Sequence, residues 1–593
     1  MCGIIGSYKT TGPATSLTLS PISHRGPDGS GDWRSPAGKC WLGQVRLSII
    51  ELTPAGAQPM LSASGRTILV FNGEIYNHME LRSRLEGITW RGHSDTETLL
   101  EIWERLGEKS LELLRGMFAF AVYDLETGSL HLARDRIGIK PLYYCQGREE
   151  FSFASEARAL LGGNRPRLAG GTMANYLASG HLPGSGQLGD GIEVFPPASL
   201  LRIDHSGHFH WEKWWHLPSK TQTPLVPASA RQARVEVQSL VEKAVEEHLL
   251  SDVPVGAFLS GGIDSSIICL CAAKSLGKSL HTFCVGFPDA DFDERPIAKF
   301  VAEKAGSSHT EIEVGAQECQ QWAMEAVAAM DVPSVDALNT YIVARAVKQT
   351  GIKVALSGLG GDELFCGYPS FSDVPWLALL AKLPSTMAKS LISALPKNIK
   401  EKLNGAPSFD AFTLALLRRR WWSDEALIFA GLKEPVSWPS TDSTFQDNVQ
   451  AISAAEIIGY MEPMLLRDSD QMSMAVGLEI RVPLLDCRLV EYALSLPGPL
   501  KLGRPAKRLL INAFSDLLPR ECWNRPKRGF VLPMEKWMNG PLQDFCRHGL
   551  SSASKILNPA FVERAYQDFK MGKIHWTRVW QISVLGHYLD RKS

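Results

Sequence analysis

Several absences narrow the reading of this chain before any motif does. It has 593 residues and eleven cysteines, yet no Cys-x-x-Cys pair. Zinc-site spacing and a dense disulfide framework are both therefore unsupported. Charge of neither sign dominates, with 62 Lys+Arg against 63 Asp+Glu, so no overall field gathers nucleic acid or an anionic membrane. No apolar run reaches the ~20 residues that span a bilayer. The opening Met-Cys-Gly-Ile-Ile-Gly lacks the basic region and long apolar core of a signal peptide. A reducing cytoplasm is the expectation that follows. No Gly-Lys-Ser/Thr follows a glycine-rich turn, which excludes the P-loop route to nucleotide binding. What is present is the composition of a soluble globular protein, 45% hydrophobic and 21% charged. Its length calls for more than one domain.

The stretch Val253 to Ser266 organises the chain. It starts as an apolar run of buried-strand length ending at Leu259. It turns through Ser260, Gly261 and Gly262 and enters the apolar-periodic segment Ile267 to Leu276, which reads as a helix. A strand, a Ser/Gly turn and a helix start make a site for phosphate, because turn N–H groups and the positive helix end both face the anion. Gly261 and Gly262 are expected to take φ > 0 and let the backbone approach closely. Asp264 suits the Mg²⁺ that accompanies a nucleoside triphosphate. Ser260, Ser265 and Ser266 add hydroxyl donors. The sequence Ser-Gly-Gly-Ile-Asp-Ser-Ser resembles the pyrophosphate loop of enzymes that cleave ATP to AMP and pyrophosphate.

Cys2 is the second chemical feature. Removal of Met1 would leave a thiol and a free α-amine on one residue. An α-amine titrates near 7.7–8.0, roughly right for it to serve as base to its own side chain. Downstream lie His24 to Asp28, a polar turn, and an alternating strand from about Trp41 that ends at Arg46 to Ile49. Asn72-Gly73 reads as a turn after the apolar strand Ile68 to Phe71. Ser94 to Glu97 precedes the helical run Thr98 to Leu106 in the manner of a capping box.

Taken together these segments resemble the class II glutamine amidotransferase (N-terminal nucleophile) domain over Cys2 to about His216. The resemblance implies that Cys2 attacks the glutamine amide and that Asn72 and Gly73 form the oxyanion hole. It implies glutamine contacts from Arg46, with Leu47 and Ile49 beside it, and from Asn72, Glu74 and Asp95. Further strands at Met117 to Tyr123 and Leu130 to Ala133 add to a sandwich of antiparallel sheets flanked by helices. The prolines of His216 to Ala230 mark a linker. The expected domains are 2–216, a linker at 217–228, and 229–593.

Beyond the linker, strand and helix patterns alternate. A helix reads from Ser229 to Leu250, a strand from Leu280 to Gly286 and a helix from Glu294 to Ala305. A short strand Thr310 to Val314, a helix Thr340 to Gln349 and a strand Lys353 to Leu356 follow. That alternation predicts an α/β unit built on a doubly wound parallel sheet. Leu259, Ser260, Val285, Ser357 and Gly358 fall at strand ends, where an adenine nucleotide would lie. Ser357 to Phe365 combines glycines with Asp362 and Glu363, so Asp264 and Asp362 together are candidate Mg²⁺ ligands facing departing pyrophosphate.

With Met474 to Asp486 and Gly503 to Leu510, this half resembles the synthetase domain of the glutamine-dependent asparagine synthetase family. By that resemblance Lys507 contacts the α-phosphate and acyl-adenylate, and Glu363 belongs to the catalytic set. Lys527 to Phe530 reads as a structural or nucleotide-side loop rather than a nucleic-acid patch.

The family pattern is departed from in two places. Leu359 stands where the second loop of well-known members has a glutamate, and Asp331 to Tyr341 carries no arginine. Asp336 and Asn339 are the candidate contacts left for the acceptor. The implied reaction takes aspartate, glutamine and ATP to asparagine, glutamate, AMP and pyrophosphate. The alternative keeps the chemistry and amidates another carboxylate, such as a sugar uronic acid. The implied partners are small molecules, not nucleic acid or membrane, and a homodimer is compatible with them.

Overall fold

The computed structural model describes residues 2–219, 229–286, 293–379, 407–441, 444–525 and 532–591, with 387, 400 and 403 besides. Met1, most of the expected linker and Lys527 to Phe530 lie outside the described residues.

The amino-terminal half is two antiparallel sheets. Thirteen strands build them: β1 (Gly3–Lys9), β2 (Gly29–Arg34), β3 (Cys40–Arg46), β4 (Met60–Leu61), β5 (Thr67–Ile75), β6 (Gly116–Asp124), β7 (Leu130–Arg134), β8 (Tyr143–Gln146), β9 (Glu150–Ala154), β10 (Gly186–Gly189), β11 (Ile192–Val194), β12 (Ser199–Ile203) and β13 (Phe209–Lys213). One sheet runs β10-β11-β8-β9-β1-β3-β2 and the other β13-β12-β7-β6-β5-β4. The period-2 rule of a strand explains how both faces of the second sheet are used. Ile68, Val70, Ala119 and Ala121 point into the core shared with Ile4, Leu42 and Phe153 of the first sheet. Leu69, Phe71, Phe118 and Phe120 point the other way, onto Leu99, Ile102 and Trp103 of the helix Asp95–Leu106. Ser94 caps that helix through the Glu97 N–H, but the Glu97 carboxylate accepts from the Arg91 and Gly92 N–H groups instead of closing a reciprocal box.

Asn72-Gly73 is not a turn. β5 runs straight through it, pairing Asn72 with Ala119 and Gly73 with Phe118 of β6. The local turn preference of Asn-Gly yields here to an unbroken ladder of apolar residues on both sides. Gly73 has φ +155°, and any side chain there would strike the Met117 carbonyl.

The carboxy-terminal half is built on five parallel strands: β14 (Val255–Phe258), β15 (His281–Gly286), β16 (Ser308–Glu313), β17 (Val354–Leu356) and β18 (Glu479–Arg481). Their order is β16-β15-β14-β17-β18. Both faces are covered, as parallel sheets require. Val255, Ala257 and Leu356 pack with the helices Ala230–His248 and Ile263–Leu276. Phe283 and Ala355 pack with Ala344 and Val347 of the helix Ala337–Lys348 on the other side. β18 is the strand that periodicity did not reveal, being three residues long with two of them, Glu479 and Arg481, charged.

Candidate functional site

Two sites emerge, one in each half. At the first, Cys2 precedes β1, and its backbone N–H donates to Asn72 Oδ1 at 3.2 Å. Asn72 is held in turn by Ser155, whose Oγ lies 3.5 Å from Asn72 Nδ2 and accepts the Ile4 N–H at 2.9 Å. The Cys2 carbonyl accepts from Arg25 Nε at 3.2 Å. Burial raises the Cys2 thiol above its ordinary range, offset in part by the Leu47 N–H and by Arg46. Arg46 itself is braced by the loop carbonyls of Thr53, at 3.1 Å, and Glu51. The side chains of Leu47 and Ile49 are buried in core shared with the second half; Leu47 reaches the Cys2 thiol through its N–H, and the Ile49 carbonyl accepts the Asp252 N–H.

The two acids expected to meet the glutamine ammonium lie deep. Asp95 accepts from the Ile75 N–H at 2.9 Å and the Thr96 N–H at 2.8 Å, and burial still pushes it up to about 6. Glu74 is raised well above its ordinary value, first by burial and then by Glu479. Its partner is Arg481 at 3.3 Å, from the other half of the chain.

Arg481 is fully buried and joins both sites. Its guanidinium also meets Glu479 at 2.6 Å, while its carbonyl accepts the Ser357 N–H at 2.8 Å. One residue thus touches the expected glutamine ligand with its side chain and the expected ATP loop with its backbone. Sequence reading placed Glu479 and Arg481 in a family segment but could give them no partner.

At the second site the Ser260 to Ser266 turn follows β14 as expected. Gly261 has φ +69°, packed against Ile297, but Gly262 does not take positive φ; it has φ −73°. Only one glycine of the pair is needed for the reversal. Gly262 is the N-cap of the helix Ile263–Leu276 and supplies no side-chain cap, which leaves the first-turn N–H groups turned toward the loop. Ser260 and Ser265 hydroxyls lie 3.1 Å apart at the turn. Ser266 is turned away: its Oγ is fully buried, 3.5 Å from Cys522 Sγ.

Asp264 and Asp362 come together across two loops. Lys507 Nζ joins them, in contact with Asp264 and 2.7 Å from Asp362, and the two carboxylates raise the lysine despite its burial. Lys507 holds φ +60° at the start of the helix Arg508–Ala513. It is therefore a buried, positioned cation and not a solvated helix residue. Two carboxylates that already converge on one cation fit a Mg²⁺ site of the kind completed by phosphate oxygens. Glu363 lies behind them, accepting from Tyr368 O–H at 2.7 Å, and is raised to about 7 by burial and by Asp362.

Beside this turn is a cavity of about 250 Å³ at the carboxyl ends of the strands. Leu259, Ser260, Val285, Ser357 and Leu359 line it. That is where open parallel sheets bind ligands, at the reversal of strand order between β14 and β17. Gly358 packs against Asp264 rather than on the cavity wall. Asp336 and Asn339 also line it and hydrogen-bond to each other, Asp336 just before and Asn339 within the helix Ala337–Lys348. Asp468 is a lining acid that sequence reading missed. Ser334 O–H donates to it at 2.5 Å, and burial raises it to about 7. Sequence reading assigned no role to its segment, Arg467–Met474, whose polar residues are buried only by the tertiary fold.

The comparisons with known proteins divide the chain in two. Residues 236–589 match the family model described as asparagine synthase, and residues 1–215 match the glutamine amidotransferase domain. Asparagine synthetase [glutamine-hydrolyzing] 1 of Bacillus subtilis is 29% identical over 98% of this chain and 96% of its own length. A putative asparagine synthetase of Mycobacterium bovis is 30% identical over 98% and 96%. Amidase chry2 of Gibberella zeae is 28% identical over 95% and 91%.

Proposed function

This chain belongs to the asparagine synthase family, and on that premise we propose that it makes an amide from ATP, a carboxylate and ammonia released from glutamine. In the first half-reaction Cys2 Sγ attacks the γ-amide carbon of glutamine. Its α-amine takes the thiol proton and passes it to the leaving ammonia. Asn72 Nδ2 and the Gly73 N–H donate to the oxyanion, Arg46 takes the α-carboxylate, and Glu74 and Asp95 take the α-ammonium. Water then frees glutamate from the thioester.

In the second half-reaction a carboxylate oxygen attacks the α-phosphorus of ATP, and pyrophosphate leaves. The turn N–H groups from Ser260 to Asp264 receive its charge. Asp264 and Asp362 would hold Mg²⁺, which supplies positive charge to the departing phosphates. Lys507 neutralises the α-phosphate. Ammonia attacks the acyl carbon and expels AMP. It travels inside the protein, because water would convert it to unreactive ammonium.

The observation that carries this reading is the meeting of Asp264, Asp362 and Lys507 from three distant segments at an uncapped helix start. L-aspartate is the first acceptor, in keeping with the names of the Bacillus and Mycobacterium relatives. A second reading amidates a different acid. It is favoured by Leu359, which puts an apolar side chain on the cavity wall, and by a relative of similar identity that bears the name amidase. The test is AMP and pyrophosphate formation against a panel of carboxylates, with glutamine or ammonia as nitrogen donor. Glutamine-dependent AMP is expected from at least one acid; AMP from none, with either donor, overturns the reading. We propose the cytoplasm as its compartment.

A further inference from the structure

The cavity at the carboxyl ends of the parallel strands is walled by acid. Glu294, Asp336 and Asp468 line it, and among the described residues no lysine, arginine or histidine does. Glu294 is met by Arg525 at 3.8 Å. Asp336 and Asp468 form no ion pair among the described residues; their partners are the neutral side chains of Asn339, Ser334 and Gln471. The two acids are near enough that Asp336 helps to raise Asp468, as one like charge does to another.

Both acids keep room for a ligand. A carboxylate offers about four lone-pair sites. Asp468 uses two, for the Ser334 O–H at 2.5 Å and for Gln471 Nε2 at 2.9 Å. Asp336 is half-buried; its Oδ1 accepts from Asn339, and its Oδ2 accepts no hydrogen bond among the described residues. The cations nearby are engaged elsewhere. Arg419 acts on Asp336 through its charge, but its guanidinium stacks on Tyr460 at 3.6 Å and Tyr368 at 4.3 Å and pairs with Glu456 at 2.7 Å. Arg467 donates to the Leu182 and Pro183 carbonyls at 3.1 and 2.8 Å. Lys507 is held by Asp264 and Asp362.

That wall sorts acceptors by charge. The carboxylate that reacts must face the α-phosphate, on the side of Lys507. Any other charge on the acceptor then falls among the acids. A second carboxylate there would leave water and meet only like charge. An ammonium would meet two carboxylates and draw both back toward their ordinary range. Holding the amine as an ammonium has a further consequence. Only a neutral amine is nucleophilic, so the acceptor's own nitrogen is kept from attacking the acyl-adenylate in place of ammonia. With adenosine beside it in a cavity of about 250 Å³, the acceptor must also be small.

We propose that the acceptor is a small amino acid whose only carboxylate is the one amidated, its ammonium received by Asp336 and Asp468. This rests on the amide-synthesis reading and names its substrate class. L-aspartate fits in part: its ammonium has a place on this wall and its second carboxylate has none.

The experiment measures AMP formation with ammonia as donor across a series that takes L-aspartate apart. β-Alanine is L-aspartate without its α-carboxylate, succinate is L-aspartate without its ammonium, and propionate lacks both. Glycine and 4-aminobutyrate vary the distance between ammonium and carboxylate. The best of the three ammonium acids is expected to exceed L-aspartate, succinate and propionate at least tenfold in kcat/KM. Asp336→Asn and Asp468→Asn are each expected to raise that acid's KM tenfold or more and to lower the KM for succinate, a reversal that a merely structural role would not produce. The inference is overturned, with the amide-synthesis reading intact, if the acid of highest kcat/KM, in this series or a wider panel, carries a second carboxylate or no cation. Variants that keep the thermal midpoint and leave both KM values unchanged overturn it as well. The acid series is run on the unmodified protein, so it decides even where a variant fails to fold. AMP from no acid, with ammonia or with glutamine, overturns both readings.

Discussion

Asn72 would serve two purposes at the thiol site under the proposed mechanism. Its carbonyl oxygen accepts the Cys2 backbone N–H, and its amide nitrogen, 3.5 Å from Ser155 Oγ, would give its second N–H to the oxyanion. Asn72→Ala is expected to lower kcat for glutamine hydrolysis by roughly 10²–10³-fold, the usual loss for one oxyanion donor. AMP formation from ammonia should be unaffected, because that chemistry lies in the other half; parallel assays with the two donors check this. If Asp95 takes the glutamine ammonium as proposed, it sets a pH dependence. Burial holds it at about 6 against an ordinary 3.8, so it accepts a proton as pH falls through 6. A protonated carboxyl no longer balances the glutamine ammonium. KM for glutamine should therefore rise below about pH 6, approaching tenfold per unit, and stay level from 7 to 8. A KM profile flat down to pH 5 would remove Asp95 from the glutamine site.

Among the elements, β17 and β18 do most to join the two chemistries. They pair in parallel, Leu356 beside Arg481, so the strand that ends at Ser357 is aligned by the one that carries Arg481. Arg481 and Glu479 are fully buried and Glu74 nearly so. Breaking a buried pair by removing one partner costs more than the pair itself contributes, because a charge is left without compensation. Arg481→Met should therefore destabilise the protein by about 3–5 kcal/mol, read from urea unfolding. It should also raise KM for glutamine and for ATP together, whereas loss of one site alone would change a single KM. Arg481→Lys restores the charge but not the fork of donors, so recovery should be partial.

At the scale of the whole molecule, the two halves are locked by buried charge as well as apolar contact. Arg25 meets Asp470 at 2.8 Å and Lys140 meets it at 3.5 Å, while Arg158 meets Asp331 at 3.3 Å. All three bridges cross from one half to the other, and Tyr76 stacks on His248 at 3.8 Å beside them. Separating the halves would break these bridges and leave Arg25 and Arg158 to share Glu156. Calorimetry should accordingly show one unfolding transition rather than two. Asp470→Asn, which leaves Arg25 and Lys140 short of a counter-charge, should lower its midpoint without splitting it. Two resolved transitions in the unmodified protein would contradict an interface of this strength.

The sequence by itself determined the local chemistry: a terminal thiol, a Ser/Gly turn after an apolar strand, a second turn with Asp362, and alternating patterns that announce sandwich and parallel sheet. Such features depend on neighbours within a few residues, which is the range over which periodicity and turn preference act. Tertiary structure alone decided the rest. It overrode the turn at Asn72-Gly73 because the β6 ladder outweighs a dipeptide preference, and it turned Ser266 into the core. It also drew Arg419 toward Asp336, Arg481 toward Glu74, and Lys507 between two aspartates. Those meetings follow from which strands the sheet order makes adjacent and which helices then cover them. Charges far apart in the chain feel each other only once burial has removed the water between them.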